Sequence, residues 1–252
     1  MFDLTGKVSV VTGGNSGIGL GMAEALARAG SEVCIWGTSE EKNHSAIERI
    51  RTISSTATAL RCDVGDEDAV EAAMGSVVER YGTVTSVFVN AGVPAGAVRF
   101  SETAFDDWEA TIRVNLHGAF LTTRAAVRRM LTAGGGGSIV VTSSLSARLG
   151  MPRGQAYSSS KAAVIALVQS IAVEHGKHGI RANALMPGWI QTPMTSGLLG
   201  SERFDERNLP RVPVGRYGAP EDFAGIAVYL ASDASRYHTG DVIRIDGGYG
   251  LT

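Results

Sequence analysis

Short apolar runs alternate along the chain with longer stretches of helical periodicity. Apolar runs of this length, with little polar alternation, are typical of strands buried on both faces. The pattern predicts strands at Lys7–Thr12, Glu32–Trp36, Ala59–Cys62, Ser86–Val89, Ser138–Ser143, Ile180–Leu185 and Val242–Ile245. It predicts helices at Ile18–Ala29, from Ser39 onward, and at Asp66–Tyr81, Thr103–Leu131, Ala156–Lys177 and Glu221–Ser232.

These elements follow one another as strand and helix in turn, with a last strand at the end. Such alternation favours right-handed crossovers, and therefore a parallel sheet with helices on both faces. We predict an α/β fold, a doubly wound parallel sheet of about seven strands, built as a single domain over residues 1–252. Ligands bind such sheets beyond the carboxyl ends of the strands, so functional residues are expected just after strands.

The composition is that of an ordinary globular protein. Of the 252 residues, 44% are hydrophobic and 19% charged, and the formal net charge is −2. The lack of a basic surplus argues against a nucleic-acid partner. The longest apolar run, Ala162–Val168, is too short to cross a bilayer, and the first residues show no apolar leader. We therefore expect a cytoplasmic protein that has no membrane segment.

The chain has two cysteines, Cys34 and Cys62. Both lie in apolar surroundings, which favours buried, reduced thiols over a disulfide framework. No group of cysteine, histidine and carboxylate residues has the spacing of metal ligands, so we expect no catalytic metal.

A glycine-rich turn follows the first predicted strand. In the segment 12–19, the glycines Gly13, Gly17 and Gly19 permit a sharp turn and a close backbone approach to a pyrophosphate. The helix that follows would offer free N–H groups and the positive end of its dipole to the phosphates. The spacing differs from the more familiar G-x-G-x-x-G, and a plain strand–helix connection is the alternative. The position between a strand and a helix favours dinucleotide binding.

Three further loops fall at strand ends and fit the same ligand. Asp63-Val64 follows the third strand, where the carboxylate could accept from an adenine amine or simply cap a turn. Asn90-Ala91-Gly92 follows the fourth strand and offers small residues against which a cofactor could lie. Pro187-Gly188 follows the sixth strand.

Candidate catalytic residues lie near the fifth strand and the helix after it. Tyr157 and Lys161 are four residues apart, so they share one helix face. A nearby ammonium favours phenolate, which predicts a lowered pKa for Tyr157 and a role in proton transfer. Ser144, at the end of the fifth strand, could hold the substrate oxygen against the phenol. A surface pair of Tyr157 and Lys161 is the alternative.

Together these residues resemble the short-chain dehydrogenase/reductase family. The resemblance rests on Thr12-Gly13, Gly17-Ile18-Gly19, Asn90-Ala91-Gly92, Asn115, Ser144, Tyr157, Lys161 and Pro187-Gly188, and it runs from Lys7 to Gly248. It implies a Rossmann-type fold and hydride transfer between a nicotinamide dinucleotide and a secondary alcohol or ketone. One departure is His238, where the family more often has an aliphatic residue. We interpret His238 as structural or interfacial.

The resemblance also assigns roles to single residues. Tyr157 becomes the general acid/base. Lys161 binds the nicotinamide ribose and tunes the phenol, Ser144 orients the carbonyl, and Asn115 holds a water of the proton relay. An ordinary amide that kinks or caps a long helix is the alternative for Asn115. The residues expected to bind the cofactor are Gly13, Asn15, Ser16, Gly17, Ile18, Gly19, Thr38, Ser39, Asp63, Val64, Asn90, Ala91, Gly92, Tyr157, Lys161, Pro187, Gly188, Ile190 and Thr192.

The end of the second strand bears on the choice of cofactor. An acidic residue there would bind the adenosine ribose and repel a 2′-phosphate, but the position is Gly37. The hydroxyls of Thr38 and Ser39 could donate to a phosphate at the start of the next helix. NADP(H) is therefore slightly favoured and NAD(H) stays possible, and Gly37→Asp is predicted to shift the preference towards NAD(H).

The segment 193–214 has little periodicity and resembles the substrate lid of the family. We expect it to be the most mobile part of the chain in the absence of substrate. It mixes apolar residues with arginines, and Arg153 could reach the mouth of the pocket. Acyl chains, sugars or polyols and small ketones all stay open as substrates. Family members of this length resemble dimers or tetramers, and we expect a homotetramer.

Two other functions are compatible with the fold. A non-catalytic dinucleotide-binding regulator would typically lack the pair Tyr157 and Lys161, which this chain retains. A sugar-nucleotide epimerase would need a longer C-terminal substrate domain. The residues of the site favour an NAD(P)-dependent oxidoreductase.

Overall fold

The computed structural model describes residues 2–94, 96 and 98–252. Its strands are β1 (Val8–Thr12), β2 (Glu32–Gly37), β3 (Thr58–Arg61), β4 (Ser86–Val89), β5 (Gly137–Thr142), β6 (Ile180–Pro187) and β7 (Val242–Ile245). Its helices are α1 (Gly17–Arg28), α2 (Glu40–Arg51), α3 (Glu67–Tyr81), α4 (Phe105–Ile112), α5 (Gly118–Ala133), α6 (Gln155–His175), α7 (Glu202–Asn208) and α8 (Ala224–Ala231).

The strands form one sheet in the order β3-β2-β1-β4-β5-β6-β7, and every neighbouring pair is parallel. This is the doubly wound, Rossmann-type architecture expected from the sequence, and the prediction of fold is confirmed. From β1 to β3 each new strand is added on one side of the sheet, and from β4 to β7 on the other side, so the strand order switches between β1 and β4. At such a switch point the crossover loops on the two sides separate and leave a crevice at the carboxyl ends of the strands.

Two hydrophobic cores cover the two faces of the sheet. Val10 of β1 lies in the core that α3, α5 and α6 close, and its neighbour Val11 lies in the core that α1, α2 and α8 close. Successive residues of a strand point to opposite faces, so an apolar strand can supply both cores. Cys34 and Cys62 are buried in the first core as free thiols, as the sequence predicted.

The single helix expected over 103–131 is broken in the structure. A short 3-10 turn at Phe100–Glu102 precedes α4, and a π-helical turn at Arg113–His117 separates α4 from α5. A π turn inserts an extra residue into the helical repeat and is frequently found at functional sites. Hydrophobic periodicity continues across such a turn, which explains why the sequence predicted one helix.

Helix α6 forms one wall of the core and carries the candidate catalytic pair. By length and composition alone, Gln155–His178 could cross a membrane, with a mean hydropathy of 1.2, although the sequence analysis predicted no such segment. One helix of this kind is weak evidence for a span, because core helices of soluble proteins meet the same criterion. Here Val164 and Val168 of α6 lie in the first core, which gives the helix an apolar role inside the fold.

The segment after β6 contains more structure than its sequence suggested. It includes α7 and a 3-10 turn at Leu209–Arg211. The ring of Phe204 meets Trp189 edge to face, with the centroids 4.9 Å apart. Arg211 donates to the Tyr249 hydroxyl at 2.9 Å. The first contact anchors α7 and the second anchors the turn that follows it, while the expected mobility of the segment stays a prediction.

Candidate active site

A cleft of about 510 Å³ crosses the carboxyl edge of the sheet at the switch point between β1 and β4. Its walls come from the loops that follow β1 to β6, where the sequence analysis placed functional residues. The predicted site residues that line it are Gly13, Asn15, Ser16, Gly17, Ile18, Thr38, Ser39, Val64, Asn90, Ala91, Gly92, Ser144, Tyr157, Lys161, Pro187, Gly188, Ile190 and Thr192.

The glycine loop after β1 is shaped by close approaches that only glycine permits. Gly17 has a φ of 52°, in the left-handed region. A Cβ on Gly19 would lie 2.2 Å from the carbonyl oxygen of Gly13. Gly19 therefore allows α1 to start against the loop, but it does not line the cleft as the sequence analysis expected. Ser16 precedes α1, and in the described structure its side chain does not cap the helix. The first N–H groups of α1 are therefore available to an anion.

The ends of β1, β4 and β5 are tied together by polar side chains. The Thr12 hydroxyl accepts from the backbone N–H groups of Asn90 and Ala91, both at 3.0 Å. The Thr142 hydroxyl donates to the Asn90 side chain at 3.1 Å. These bonds satisfy groups that strand pairing leaves free and hold the floor of the cleft in one geometry.

Lys161 is buried at the centre of this floor. Its Nζ donates to the carbonyl oxygen of Thr142 at 2.8 Å. The Ser143 hydroxyl donates to the carbonyl oxygen of Lys161 at 2.6 Å and fixes α6 against β5. Burial disfavours the charged form and lowers the pKa of Lys161 to about 8. The lysine therefore carries a proton that it can release close to neutral pH.

Tyr157 lies one turn earlier on α6, with its ring centroid 5.7 Å from the Lys161 Nζ. Burial raises the pKa of the Tyr157 phenol, and the nearby Ser144 hydroxyl offsets part of that rise. The expectation of a pKa lowered by Lys161 is therefore wrong for the protein alone. The physical reason is that removal from water penalises the phenolate more than its surroundings stabilise it.

Asn115 is placed by the π turn behind the cleft. Its Oδ1 accepts from the Val93 N–H at 2.8 Å, and its Nδ2 donates to the Val93 carbonyl at 3.1 Å. A Cβ on Gly92 would lie 3.1 Å from that Oδ1 and 3.5 Å from the Lys161 Nζ, so the three residues meet at one point. The side chain thus holds the loop after β4 beside Lys161, and one hydrogen of Nδ2 is left for another acceptor.

The loop after β6 covers the glycine loop. The Thr192 methyl lies 3.1 Å from the position that a Cβ on Gly17 would take. The Thr195 hydroxyl accepts from the Thr192 N–H at 3.0 Å and donates to the Ile190 carbonyl at 2.6 Å. This turn holds Thr192 over the cleft, where the resemblance placed a contact with the cofactor.

The end of the cleft beside β2, where the sequence analysis expects the adenosine and which we call the adenosine end, has exposed polar residues at its rim. Lys42, which the sequence analysis did not single out, lines it beside Thr38 and Ser39. Glu40 lies 3.6 Å from Arg61, so its charge is partly matched away from the cleft. Among the described residues Lys42 has no ion-pair partner. Its ammonium is the positive charge that this end offers to an anion.

The Asp63 carboxylate binds protein groups, although the sequence analysis considered it as a partner for the adenine amine. Its Oδ1 accepts from the Gly65 N–H at 2.9 Å, and its Oδ2 lies 3.0 Å from Arg113 Nη1. Both oxygens are therefore used by the turn and by an ion pair, which favours the turn-capping alternative. The residues of the cleft that sequence reasoning missed include Trp36, Lys42, Val93, Thr142 and Thr195.

A second groove, of about 440 Å³, opens on the other side of Tyr157. One wall is the face of α4 with Asp107, Trp108 and Thr111. The other is Arg153 in the loop before α6 together with Gln155, the first residue of α6. Arg153 has a φ of 62° and is the only non-glycine residue in the left-handed region within the described chain. Strain of this kind concentrates at functional sites.

His238 lies shortly before β7, the strand at one edge of the sheet. Its Nδ1 is 3.2 Å from the Tyr229 hydroxyl, and its Nε2 is 2.9 Å from Asp241 Oδ2. These contacts join α8 to the start of β7 and fit the structural interpretation. Within residues 2–94, 96 and 98–252, no group of three or more histidine, cysteine or acidic side chains could hold a metal ion. The expectation that no catalytic metal is used stays a prediction.

The shape of the cleft fits a dinucleotide. A Cβ on Gly13 would lie 3.0 Å from Ala91 Cα, so the floor is a glycine cradle that larger residues would close. The free N–H groups at the start of α1 suit a pyrophosphate, and the buried Lys161 suits ribose hydroxyls at the far end. Fold and site together define a dinucleotide-dependent oxidoreductase.

Comparisons with known proteins agree with this class. The family model described as "Enoyl-(Acyl carrier protein) reductase" matches residues 13–250. An L-rhamnose 1-dehydrogenase (NAD(P)(+)) from Sphingomonas sp. (strain SKA58) is 40% identical, over 97% of this chain and 96% of its own. A 3-oxoacyl-[acyl-carrier-protein] reductase from Thermotoga maritima is 38% identical, over 97% and 98%.

A solved structure is similar over the whole chain. The crystal structure of a gluconate 5-dehydrogenase from Burkholderia cenocepacia J2315, in complex with NADP and tartrate, superimposes with a TM-score of 0.93 at 32% identity. It covers 100% of this chain and 98% of the gluconate dehydrogenase. The chain belongs to the short-chain dehydrogenase/reductase family. It is an NAD(P)-dependent oxidoreductase that acts on CH–OH groups.

Proposed function

We propose that this oxidoreductase converts a secondary alcohol of a small polyhydroxylated compound into the ketone, and the reverse, with Tyr157 as general acid/base. The observation that carries the proposal is the meeting of two cavities at Tyr157. One is the dinucleotide cleft, and the other is the groove beside α4, which polar and apolar side chains line together. A group at that junction can reach both a cofactor and a substrate.

The chain's own residues account for the proton transfer. A nicotinamide dinucleotide bound in the cleft supplies or accepts the hydride. A phenol is protonated at neutral pH, and burial raises the pKa of Tyr157 further, so Tyr157 has a proton that it can donate to a carbonyl oxygen. In the reverse direction the phenolate takes the alcohol proton, so alcohol oxidation is expected to rise with pH. Ser144 orients the reacting oxygen from the opposite side.

Lys161 and Asn115 support this step from behind the cleft. Lys161 is in reach of a ribose hydroxyl. Below about pH 8, where Lys161 is protonated, its ammonium favours the phenolate that forms when Tyr157 gives up its proton to the substrate. Asn115 binds Val93 with both ends of its amide and holds Gly92 beside the lysine. The hydrogen of Nδ2 that remains can bind the relay water implied by the family resemblance.

The chemistry of the second groove supports a substrate with several hydroxyl groups. Asp107 can accept from hydroxyls, while Arg153 and Gln155 can donate to them. The two opposite charges leave the groove without a strong preference for an ion. Trp108 adds an apolar face for the carbon skeleton. A long acyl chain could form no hydrogen bonds with these groups and would displace part of the water that hydrates them, at a cost in binding.

We also propose NADP(H) as the slightly preferred cofactor, with NAD(H) accepted. Lys42, Thr38 and Ser39 line the adenosine end, and the N-terminus of α2 adds a positive dipole. No carboxylate projects from Gly37 to repel a phosphate.

Three further parts of the proposal concern the chain as a whole. It forms a single catalytic domain with a lid at residues 193–214, and it assembles into a homotetramer or a dimer. Exposed apolar side chains on α4, α5 and α6 support the assembly, among them Phe105, Phe120 and Val173. We propose the cytoplasm as its location, supported by two free thiols.

The deciding experiment is a substrate panel followed at the nicotinamide absorbance. Aldoses, polyols, 3-oxoacyl thioesters and simple ketones are each tested with both dinucleotides. We expect kcat/KM to be highest for a polyhydroxylated compound. A higher kcat/KM for acyl thioesters would overturn the substrate class. Dinucleotide binding without turnover of any alcohol or ketone would instead favour the non-catalytic regulator.

A further inference from the structure

Two asparagines form a hydrogen-bonded pair beside the end of β2. Asn15, in the glycine loop, donates from Nδ2 to Asn43 Oδ1 at 2.8 Å. Asn43, on α2, donates from its own Nδ2 to the carbonyl oxygens of Gly37 at 2.9 Å and Leu60 at 3.3 Å. Asn43 is only 5% exposed, so this network is shielded from water and well defined.

The network fixes which way each amide points. Carbonyl oxygens only accept, so the two carbonyls at Gly37 and Leu60 require the NH₂ group of Asn43 and turn its Oδ1 towards Asn15. Asn15 must then present its NH₂ group to Asn43. The Oδ1 of Asn15 consequently points away from Asn43, and Asn15 itself lines the cleft. An oriented acceptor oxygen is therefore available at the adenosine end.

The pair also occupies the space where a side chain at position 37 would begin. A Cβ on Gly37 would lie 2.2 Å from Asn15 Nδ2 and 2.5 Å from Asn43 Oδ1. In related dinucleotide folds a carboxylate from this end of the second strand binds the adenosine ribose. Here the amide of Asn15 fills that volume, so Gly37→Asp cannot simply add the missing carboxylate without breaking the pair.

We propose that Asn15, oriented by Asn43, accepts a hydrogen bond from the free 2′-hydroxyl of the adenosine ribose and so lets the enzyme bind NAD(H) as well as NADP(H). A neutral amide does not repel a phosphate as a carboxylate does. It therefore supports the unphosphorylated ribose while leaving the phosphate to Lys42. This inference rests on the dinucleotide cleft of the proposed function. Asn15 is a specificity-determining residue in it, and Asn43 is a positioning residue.

The test measures dissociation constants of NADH and NADPH by fluorescence titration, without turnover. Asn15→Ala should weaken NADH binding by about three- to tenfold, the range for loss of one hydrogen bond, and change NADPH binding by less than about twofold. The matched control is Glu48→Ala on the exposed face of α2, where Glu48 pairs only with His44 in the described structure. It should change neither constant.

A ligand analogue tests the same bond without altering the protein. NADH that carries 2′-deoxyadenosine should bind the wild type about as weakly as NADH binds the Asn15→Ala variant. Asn15→Ala should cost this analogue nothing further, because the bond is already lost. For Asn43, Asn43→Ser should shift the ratio of the NADH and NADPH constants in the same direction as Asn15→Ala. The double variant should show no further shift, whereas a merely structural role would weaken both cofactors equally.

The outcomes separate this inference from the proposed function. Equal weakening of NADH and NADPH by Asn15→Ala, or wild-type binding of the deoxy analogue as tight as that of NADH, would overturn the role of Asn15. Binding of NADPH with no detectable binding of NADH would also overturn it while leaving the proposed function intact. Binding of neither dinucleotide by the wild type would overturn both.

Discussion

The two ends of the cleft are built in different ways. At the catalytic end, Lys161 and Asn115 are buried, and their polar atoms bind backbone groups of Thr142 and Val93. At the adenosine end, Thr38 and Lys42 are exposed, and the neighbouring charges of Glu40 and Arg61 meet in water. One end is dry and fixed by hydrogen bonds, and the rim of the other, beyond the part-buried pair of Asn15 and Asn43, is wet and open.

This difference predicts which substitutions will have large effects. Electrostatic interactions are strong in a dry, preorganised site and are weakened by water and salt at an exposed one. Substitutions at the catalytic end should therefore change activity by orders of magnitude. Substitutions at the adenosine end should shift preference between cofactors by small factors.

The largest effect is expected at Tyr157. Tyr157→Phe removes only the hydroxyl and should lower kcat by roughly 10²- to 10⁴-fold, the usual contribution of general acid/base catalysis. Dinucleotide dissociation constants should change little, because the ring stays in place. The matched control is Tyr81→Phe, whose hydroxyl binds Thr58 and the Thr56 carbonyl far from the cleft. Activity of Tyr157→Phe within threefold of wild type would contradict the assignment of Tyr157 as general acid/base.

The next effect is on the free energy of unfolding and comes from the burial of Lys161. The pKa of Lys161 is lowered from 10.5 to about 8. Between these values the unfolded chain holds a proton that the folded chain has released, so the free energy of unfolding rises with pH. Compared with Lys161→Met, the wild type should gain on the order of 2 kcal/mol between about pH 7.5 and about pH 10.

Urea unfolding of both proteins across this pH range measures the difference. Lys177→Met, at an exposed lysine just beyond the same helix, is the control and should follow the wild type. Parallel pH profiles for the wild type and Lys161→Met would contradict a buried, proton-releasing lysine. The prediction links the two properties of the residue, because the burial that costs stability is also what places the ammonium near the phenol.

The residues that line the cleft were easier to predict from the sequence than the contacts that hold them in place, and the difference has a physical basis. The glycine loop and the pair Tyr157 and Lys161 follow local rules of spacing, so a linear pattern reveals them. Their placement after strands follows from the parallel sheet. The fold was predictable for the same reason, because strand and helix alternate with clear periodicity.

The remainder depends on contacts between distant segments. The π turn around Asn115 is stabilised by Val93, 22 residues earlier. Asn15 and Asn43 pair across 28 residues, and the pair decides what position 37 can accommodate. Burial also raises the pKa of Tyr157, whereas the sequence analysis expected Lys161 to lower it. This shift depends on the folded surroundings and not on the neighbour along the helix. None of these follows from local spacing.

A third, intermediate effect is expected in the second groove, where exposed charges would form hydrogen bonds with the substrate rather than only attract it through water. Asp107→Asn and Arg153→Ala should each raise KM for a polyhydroxylated substrate by about tenfold, near the low end for hydrogen bonds to charged groups. KM for a simple secondary alcohol should stay unchanged, because it does not reach these residues. Asp106→Asn, at the exposed neighbour outside the described lining of the groove, is the control. An equal rise for both substrates would indicate a general disturbance of the site.

The smallest effect is expected at Lys42. Because its ammonium is exposed, its attraction for a 2′-phosphate is on the order of 1 kcal/mol in water and is reduced further by salt. Lys42→Ala should therefore weaken NADPH binding by about three- to fivefold, leave NADH binding unchanged, and show a smaller effect as ionic strength rises. Titrations of both reduced cofactors at low and high salt measure this, with Lys177→Ala as a control distant from the cleft. A loss of NADPH binding by a hundredfold or more would mean that Lys42 is shielded when the cofactor binds, and that the adenosine end closes into a site as dry as the catalytic one.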